Sequence, residues 1–385
     1  MIDALRALVE AESPSADPAA CRACVDVADS LARELFGVAG ERIEAGGRVH
    51  LRWRFGAQPR VLLIGHLDTV WPLGTLARWP FDVTGGRATG PGVFDMKAGV
   101  VQLLFALARL ERRDGVAVLL TTDEEIGSPT ARPVIEETAQ GIEWALVLEP
   151  SADGALKTER KGVAVYRIGV TGRAAHAGLE PEKGANAAVE LAHLLLAVAE
   201  LALPEEGTTV TPTLVTAGTA MNTVPAHALA HVDVRTRTVA EAERIDAAIN
   251  GLRAVTDGTA LEIERTVGVP PLEHRASAAL YGRAQRVAER LGLPPLAETA
   301  VGGGSDGNLL AGLGVEVLDG LGAVGANAHA EGEYVEVAAL ADRCALVAGL
   351  VADLLGSSAA PTSPQGIWPD TRSALDADTG GLAKE

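Results

Sequence analysis

The chain has 385 residues, with 33 Lys and Arg against 51 Asp and Glu, for a formal charge of -18. Hydrophobic residues make up 48% and charged residues 22%, which excludes wholesale disorder and provides for a sizeable core. The acidic balance without a dense basic run argues against nucleic acid as the main partner, and three cysteines exclude a disulfide scaffold.

Ile2, Leu5, Leu8 and Val9 stand at helical spacing and predict a first helix, stopped at Ser13-Pro14. A second helix is expected over residues 19–35. It contains Cys21 and Cys24, which have no second cysteine pair nearby and read as small buried helix residues rather than a zinc knuckle. Residues 60–65 are a short continuous apolar run ending in the polar turn His66-Leu67-Asp68-Thr69. Such a run between breakers predicts a central strand covered on both faces. The same shape recurs over residues 116–121, ending in Thr122-Asp123-Glu124-Glu125, and over residues 144–148, ending in Glu149-Pro150. A long helix, about residues 97–113, separates the first two runs. Strand–helix–strand alternation predicts a three-layer α/β/α domain with a largely parallel central sheet.

The texture changes near Lys161. Residues 162–171 alternate apolar and polar, followed by a helix over 186–202, strands over 208–217 and 228–235, a helix over 239–255 and a strand over 261–267. That order predicts an inserted ferredoxin-like α+β domain. A helix over 276–291 and a strand over 314–319 then return to the first sheet. The expected division is a discontinuous catalytic domain, residues 1–160 plus 268–356, an inserted domain, residues 161–267, and a mobile tail, residues 357–385. No apolar run of roughly eighteen residues predicts a membrane span, and the N-terminus lacks a leader pattern. The expectation is a cytoplasmic protein with no membrane partner.

Ligands of open α/β sheets bind beyond the carboxyl ends of the strands. Here those ends carry His66, Asp68, Asp123, Glu124, Glu125 and Glu149. Asp95 lies in a glycine-rich turn before a helix, and His329 in a late Gly/Ala-rich loop. Several converging carboxylates without cations repel one another and lose solvation, at a cost on the order of several kcal/mol. A divalent metal removes that cost. Imidazole and carboxylate without thiolate suit Zn²⁺, with Mn²⁺ or Co²⁺ as alternatives.

The segments Gly65-His66-Leu67-Asp68-Thr69-Val70, residues 90–97, residues 121–127, Leu148-Glu149-Pro150, residues 172–178, Gly302-Gly303-Gly304-Ser305-Asp306 and residues 328–335 form an ordered set. Over about residues 2–356 the chain resembles the co-catalytic zinc exopeptidases and deacylases. These include glutamate carboxypeptidase, succinyl-diaminopimelate desuccinylase, acetylornithine deacetylase and aminoacylases, and the overall look is nearest the bacterial glutamate carboxypeptidase branch. The resemblance implies two Zn²⁺ per subunit. His66 and Glu149 would complete one, Glu125 and His329 the other, with Asp95 bridging. Asp68 would hydrogen-bond His66 and fix its tautomer. Glu124 would take the proton of the attacking water and deliver it to the leaving amine. His176 would hold the oxyanion, reaching the partner subunit of a homodimer formed through the inserted domain. Asn222 and Arg235 would grip the substrate carboxylate, and Gly303 and Gly304 would let substrate approach the backbone.

The implied activity is hydrolysis of an amide bond next to a free carboxylate, in small peptides or N-acyl amino acids. The alternatives are a strict biosynthetic deacylase and, outside enzymes, a metal-binding homologue without catalysis or an acidic binding module without metal. Glutamate carboxypeptidases place basic side chains where this chain has Ala155 and Val267. Lys157, Arg160 and Lys161 are nearby substitutes, but Val267 predicts a less acidic or apolar side chain in place of glutamate. Ala98 and Ser305 are small departures with little expected effect.

Overall fold

A computed structural model describes residues 1–356; the expected tail lies outside the described residues. Helix α1 (Ile2–Glu10) and helix α2 (Pro18–Phe36) open the chain. Asp17 caps α2 by accepting from the Ala19 and Ala20 amides, and Gly37, in the left-handed region at φ 76, ends it. Strands β1 (Glu41–Ala45) and β2 (Arg48–Phe55) form a hairpin that the apolar runs did not predict. Its signal is Gly46-Gly47: both have positive φ, 54 and 79, as a two-residue hairpin turn requires.

Strand β3 (Val61–His66) comes next, then the short strands β4 (Asp82–Thr84) and β5 (Arg87–Thr89). Helix α3 (Ala98–Arg109), β6 (Val116–Thr121), α4 (Ala131–Thr138) and β7 (Trp144–Val147) follow. Near the C-terminal side lie α7 (Ala278–Arg290), α8 (Asp306–Gly312), β14 (Glu316–Leu318) and α9 (Ala339–Leu354), after elements described below. The main sheet has the order β1-β2-β6-β3-β7-β14. Strands β6, β3, β7 and β14 are parallel, and the β1–β2 hairpin adds an antiparallel edge. Alternation along β3 divides the interior: Val61 and Leu63 face one apolar core, Leu62 and Ile64 the other. The first core includes residues of α2, α3 and α9, the second residues of α4 and α8, so the expected three layers are present.

Strand β8 (Leu156–Arg160) leaves this sheet and pairs with β13 (Glu298–Val301). Between them, β9 (Gly162–Thr171), α5 (Ala187–Ala199), β10 (Thr209–Ala217), β11 (His227–Thr236), α6 (Val239–Asn250) and β12 (Ala260–Val269) build a four-stranded antiparallel sheet. Its order, β10-β11-β9-β12, is ferredoxin-like, and it has its own core of Tyr166, Ile168, Leu191, Leu194, Ile245 and Ile249 among others. Helix α6 ends at Asn250, short of the expected residue 255. The buried Glu190 carboxylate accepts the Val255 and Thr256 amides instead, which draws that segment into a loop. A further small sheet joins β15 (Gly325–Ala326) and β16 (Tyr334–Glu336) to β5 and β4, bringing the late loop to the Asp95 turn.

Close backbone packing sets the spacing beneath the strand ends. Gly99, in the first turn of α3, sits where a Cβ would collide with the Leu148 carbonyl oxygen. The contact ties the helix that follows Asp95 to the strand end that precedes Glu149. Gly99→Ala should therefore destabilise the chain by about 1–3 kcal/mol, the usual range for overpacking. A thermal unfolding midpoint equal to wild type would show that the backbone yields there without cost.

Candidate metal centre

Five segments bring their polar ends together. His66 is the last residue of β3, and Asp95 lies in the irregular turn Val93–Lys97. Glu124 and Glu125 open a 3₁₀ turn, Glu124–Ile126, after β6. Glu149 follows β7, and His329 stands in the loop between β15 and β16. Its φ of 61 puts it in the left-handed region, unusual for a side-chain-bearing residue and common at functional sites.

Asp95 occupies the middle. Its Oδ1 is 3.3 Å from His66 Nε2, and its Oδ2 is 3.2 Å from His329 Nε2. Glu149 Oε1 lies 3.4 Å from His66 Nε2, and Glu125 Oε2 lies 3.1 Å from His329 Nε2. Glu124 Oε2 is set back at 4.0 Å from His66 Nε2. Two donor groupings with metal-binding spacing result, His66 with Glu124 and Glu149, and His66 with Asp95 and Glu125. The buried atoms His66 Nε2, Asp95 Oδ1 and Glu125 Oε1 lack hydrogen-bond partners. Buried polar atoms are rarely left so. Facing donors of this chemistry fit divalent cations.

The electrostatics carry the same message. Burial, reinforced by Glu149, Asp306 and Glu125, pushes the Glu124 carboxyl well above its usual range. Burial alone would lower His66, but Asp68, Asp95 and Glu149 outweigh it and raise the imidazole well above its usual value. Hydrogen bonding to Asp95 and Glu125 pushes His329 up to about 10. Without metal, the acids hold protons on both imidazoles.

Supporting groups fix each member. His66 Nδ1 lies 2.9 Å from the Asp68 backbone carbonyl, while the Asp68 carboxylate is farther, at 3.5 Å. Donation from Nδ1 to the carbonyl turns Nε2 toward the cluster, where a cation would take the place of its proton. The Asp68 carboxylate is used elsewhere: it accepts from Ser15 Oγ at 2.6 Å and from the Glu124 and Glu125 amides at 3.2 and 3.3 Å. It therefore holds the turn carrying both glutamates, a role the His66-x-Asp68 spacing alone does not disclose. Asp306 accepts from Ser128 Oγ and from Thr121 Oγ1 beside the same turn.

Arg160, one of the three basic residues near the glutamate-receiving positions, is buried. Its Nη2 donates to Glu149 Oε2 at 2.9 Å and Asp319 Oδ1 at 3.1 Å, its Nε to Asp319 Oδ2 at 2.7 Å, and its Nη1 to the Gly303 and Gly304 carbonyls at 3.1 and 3.0 Å. Gly303 and Gly304 are thereby linked to Glu149 through one guanidinium. Lys161 turns to the Gly207 carbonyl, whereas Lys157 Nζ lies 3.8 Å from Glu149 Oε2.

His176, Asn222 and Arg235 do not join the cluster by any hydrogen bond or ion pair among the described residues. His176 is exposed, and its Nδ1 accepts from the Gly178 and Leu179 amides, both at 3.1 Å. The Ala177 amide donates to the Asn222 carbonyl at 2.9 Å, so these two exposed loops form one unit. Arg235 forks onto Asp233 on its own strand, at 2.9 and 3.0 Å.

The sequence profile of peptidase family M20/M25/M40 matches residues 62–353. Carboxypeptidase G2 of Pseudomonas sp. (strain RS-16) is 33% identical over 308 residues, 76% of this chain and 74% of that protein. Succinyl-diaminopimelate desuccinylase of Alkalilimnicola ehrlichii is 30% identical over 346 residues, covering 82% and 90%. Among solved structures, aminopeptidase PepT of Bacillus cereus superposes with a TM-score of 0.70 at 21% identity, covering 92% of this chain and 98% of that one. Fold and site define a metallo-hydrolase of amide bonds. The chain belongs to the M20/M25/M40 peptidase family.

Metal uptake must displace the imidazole protons. Because Asp95 and Glu125 push His329 up to about 10, divalent-metal binding near neutral pH should release protons and weaken as the pH falls. Calorimetry in two buffers of different ionisation heat measures this; equal apparent enthalpies in both would contradict it.

Proposed function

We propose that the chain hydrolyses an amide bond next to a free carboxylate in small peptides or N-acyl amino acids, with two Zn²⁺ ions held by the cluster. The observation carrying this reading is Asp95, whose two oxygens face two different histidines. His66 and Glu149 would hold one ion, Glu125 and His329 the other, and Asp95 both. Bound metal would supply Lewis acidity to the scissile carbonyl and lower the pKa of a water.

The rest falls to the chain's own groups. Glu124, set back from His66, takes the proton of the attacking water and returns it to the leaving nitrogen. A carboxyl raised by burial is suited to both transfers. His176 accepts two amides at Nδ1, which leaves its proton on Nε2 as a donor for the developing oxyanion. Asn222, joined to the His176 loop, and Arg235, exchanging Asp233 for substrate, would grip the free carboxylate, with Gly303 and Gly304 lining its approach. Residues 1–160 and 268–356 are taken as the catalytic unit and residues 161–267 as the inserted unit.

His176 would serve a second copy of the chain. Strand β10 is a sheet edge with Leu214 57% and Val215 50% exposed, and α5 exposes Leu196 at 69%. An apolar strand edge beside an apolar helix face supports a homodimer. Three free buried cysteines support a reducing, cytoplasmic setting.

Glu124→Gln should retain metal by elemental analysis and lose turnover by about 10²–10⁴-fold; undiminished turnover would reject Glu124 as the base. A hydrolysis screen of dipeptides and N-acyl amino acids tests the substrate class, and a preference for C-terminal glutamate would contradict the expectation from Ala155 and Val267. Leu214→Asp combined with Leu196→Asp should give a monomer of sharply reduced activity by size exclusion with inline assay. Full activity as a monomer would remove the cross-subunit role of His176.

A further inference from the structure

Glu333 is fully buried, four residues beyond His329, and takes no part in the cluster. Its Oε1 accepts from the Phe94 amide at 2.7 Å and the Asp95 amide at 2.9 Å. Its Oε2 accepts from the Gly92 amide at 3.1 Å and from Trp71 Nε1 at 2.9 Å. Four donors fill the four lone-pair directions of one carboxylate, so Glu333 has none left for a metal. An amide in its place would turn an NH₂ against two N–H groups, so the four contacts call for a carboxyl side chain.

Three of the four donors are amides of the turn that carries Asp95. We propose that Glu333 is a positioning residue that clamps the Asp95 turn, so that Asp95 spans His66 and His329 before any metal enters. One loop then supplies both His329 and the clamp that aims its partner. The inference rests on the dinuclear reading above and names what pre-organises it. Aiming the bridging carboxylate in advance removes an ordering cost from metal uptake, as outer groups around ligands commonly do.

Two measurements test it. In metal-free wild type, the Phe94 and Asp95 amides should already be protected from hydrogen exchange. Exchange at the rate of an open loop, with protection arising only on adding zinc, would overturn the clamp, and this measurement needs no variant. Second, Glu333→Gln, titrated with zinc against a competing chelator below its own melting temperature, should bind at least one ion about 10–100-fold more weakly. Its Co²⁺-loaded form should show an altered visible spectrum. Zinc affinities and cobalt spectrum equal to wild type would overturn the proposal, since a side chain serving only stability leaves both unchanged in folded protein. Wild type that takes up no zinc would reject the dinuclear reading instead, and amide exchange in the metal-free chain would still decide the clamp.

Discussion

The constraint behind this fold is the gathering of acids that repel one another. Asp95, Glu124, Glu125 and Glu149 meet within a few ångströms of two imidazoles, largely out of water. Such a cluster holds together only with positive charge inside it, supplied by protons on His66 and His329 or by divalent cations. The surrounding structure keeps the carboxylates from turning away. Asp68 pins the glutamate turn through backbone amides, Arg160 pins Glu149, and the spacing between α3 and β7 depends on Gly99 having no side chain.

Parallel strands make this economical. In β3, β6 and β7 the chain direction delivers successive strand ends to one edge, so short turns after each present His66, Glu124 with Glu125, and Glu149 together. The two remaining members come from loops, and these need separate restraint. The small sheet of β15, β16, β5 and β4 brings the late loop against the Asp95 turn, and Glu333 completes that junction with hydrogen bonds to three of its amides.

Much of this was legible in the residues. Continuous apolar runs such as Val61-Leu62-Leu63-Ile64 mark strands buried on both faces, and the polar groups directly after them mark the site. The change to alternation at Gly162 marks the second sheet. What escaped reading depends on contacts distant in sequence. Nothing near Arg160 indicates that Glu149, Asp319 and the Gly303 and Gly304 carbonyls use all its donors. In isolation it reads as a spare cation. Asp68 likewise reads as a partner for its neighbour His66, yet the nearer acceptor is its own carbonyl. The end of α6 moved because Glu190, on another helix, captures the amides beyond it. The β1–β2 hairpin, by contrast, was written locally in Gly46-Gly47.

The groups of the cluster come from five stretches of chain between residues 66 and 329, with the other sheet's whole sequence threaded before the last of them. Residues 66–149 hold both three-donor groupings, and His329 joins them only when the late loop is folded against the Asp95 turn. Ion occupancy and global folding are thus thermodynamically linked: whatever binds the assembled chain and ignores the unravelled one shifts the equilibrium toward the assembled form by mass action. A chelating agent would lower the stability of the folded chain without touching its hydrophobic interior or its backbone.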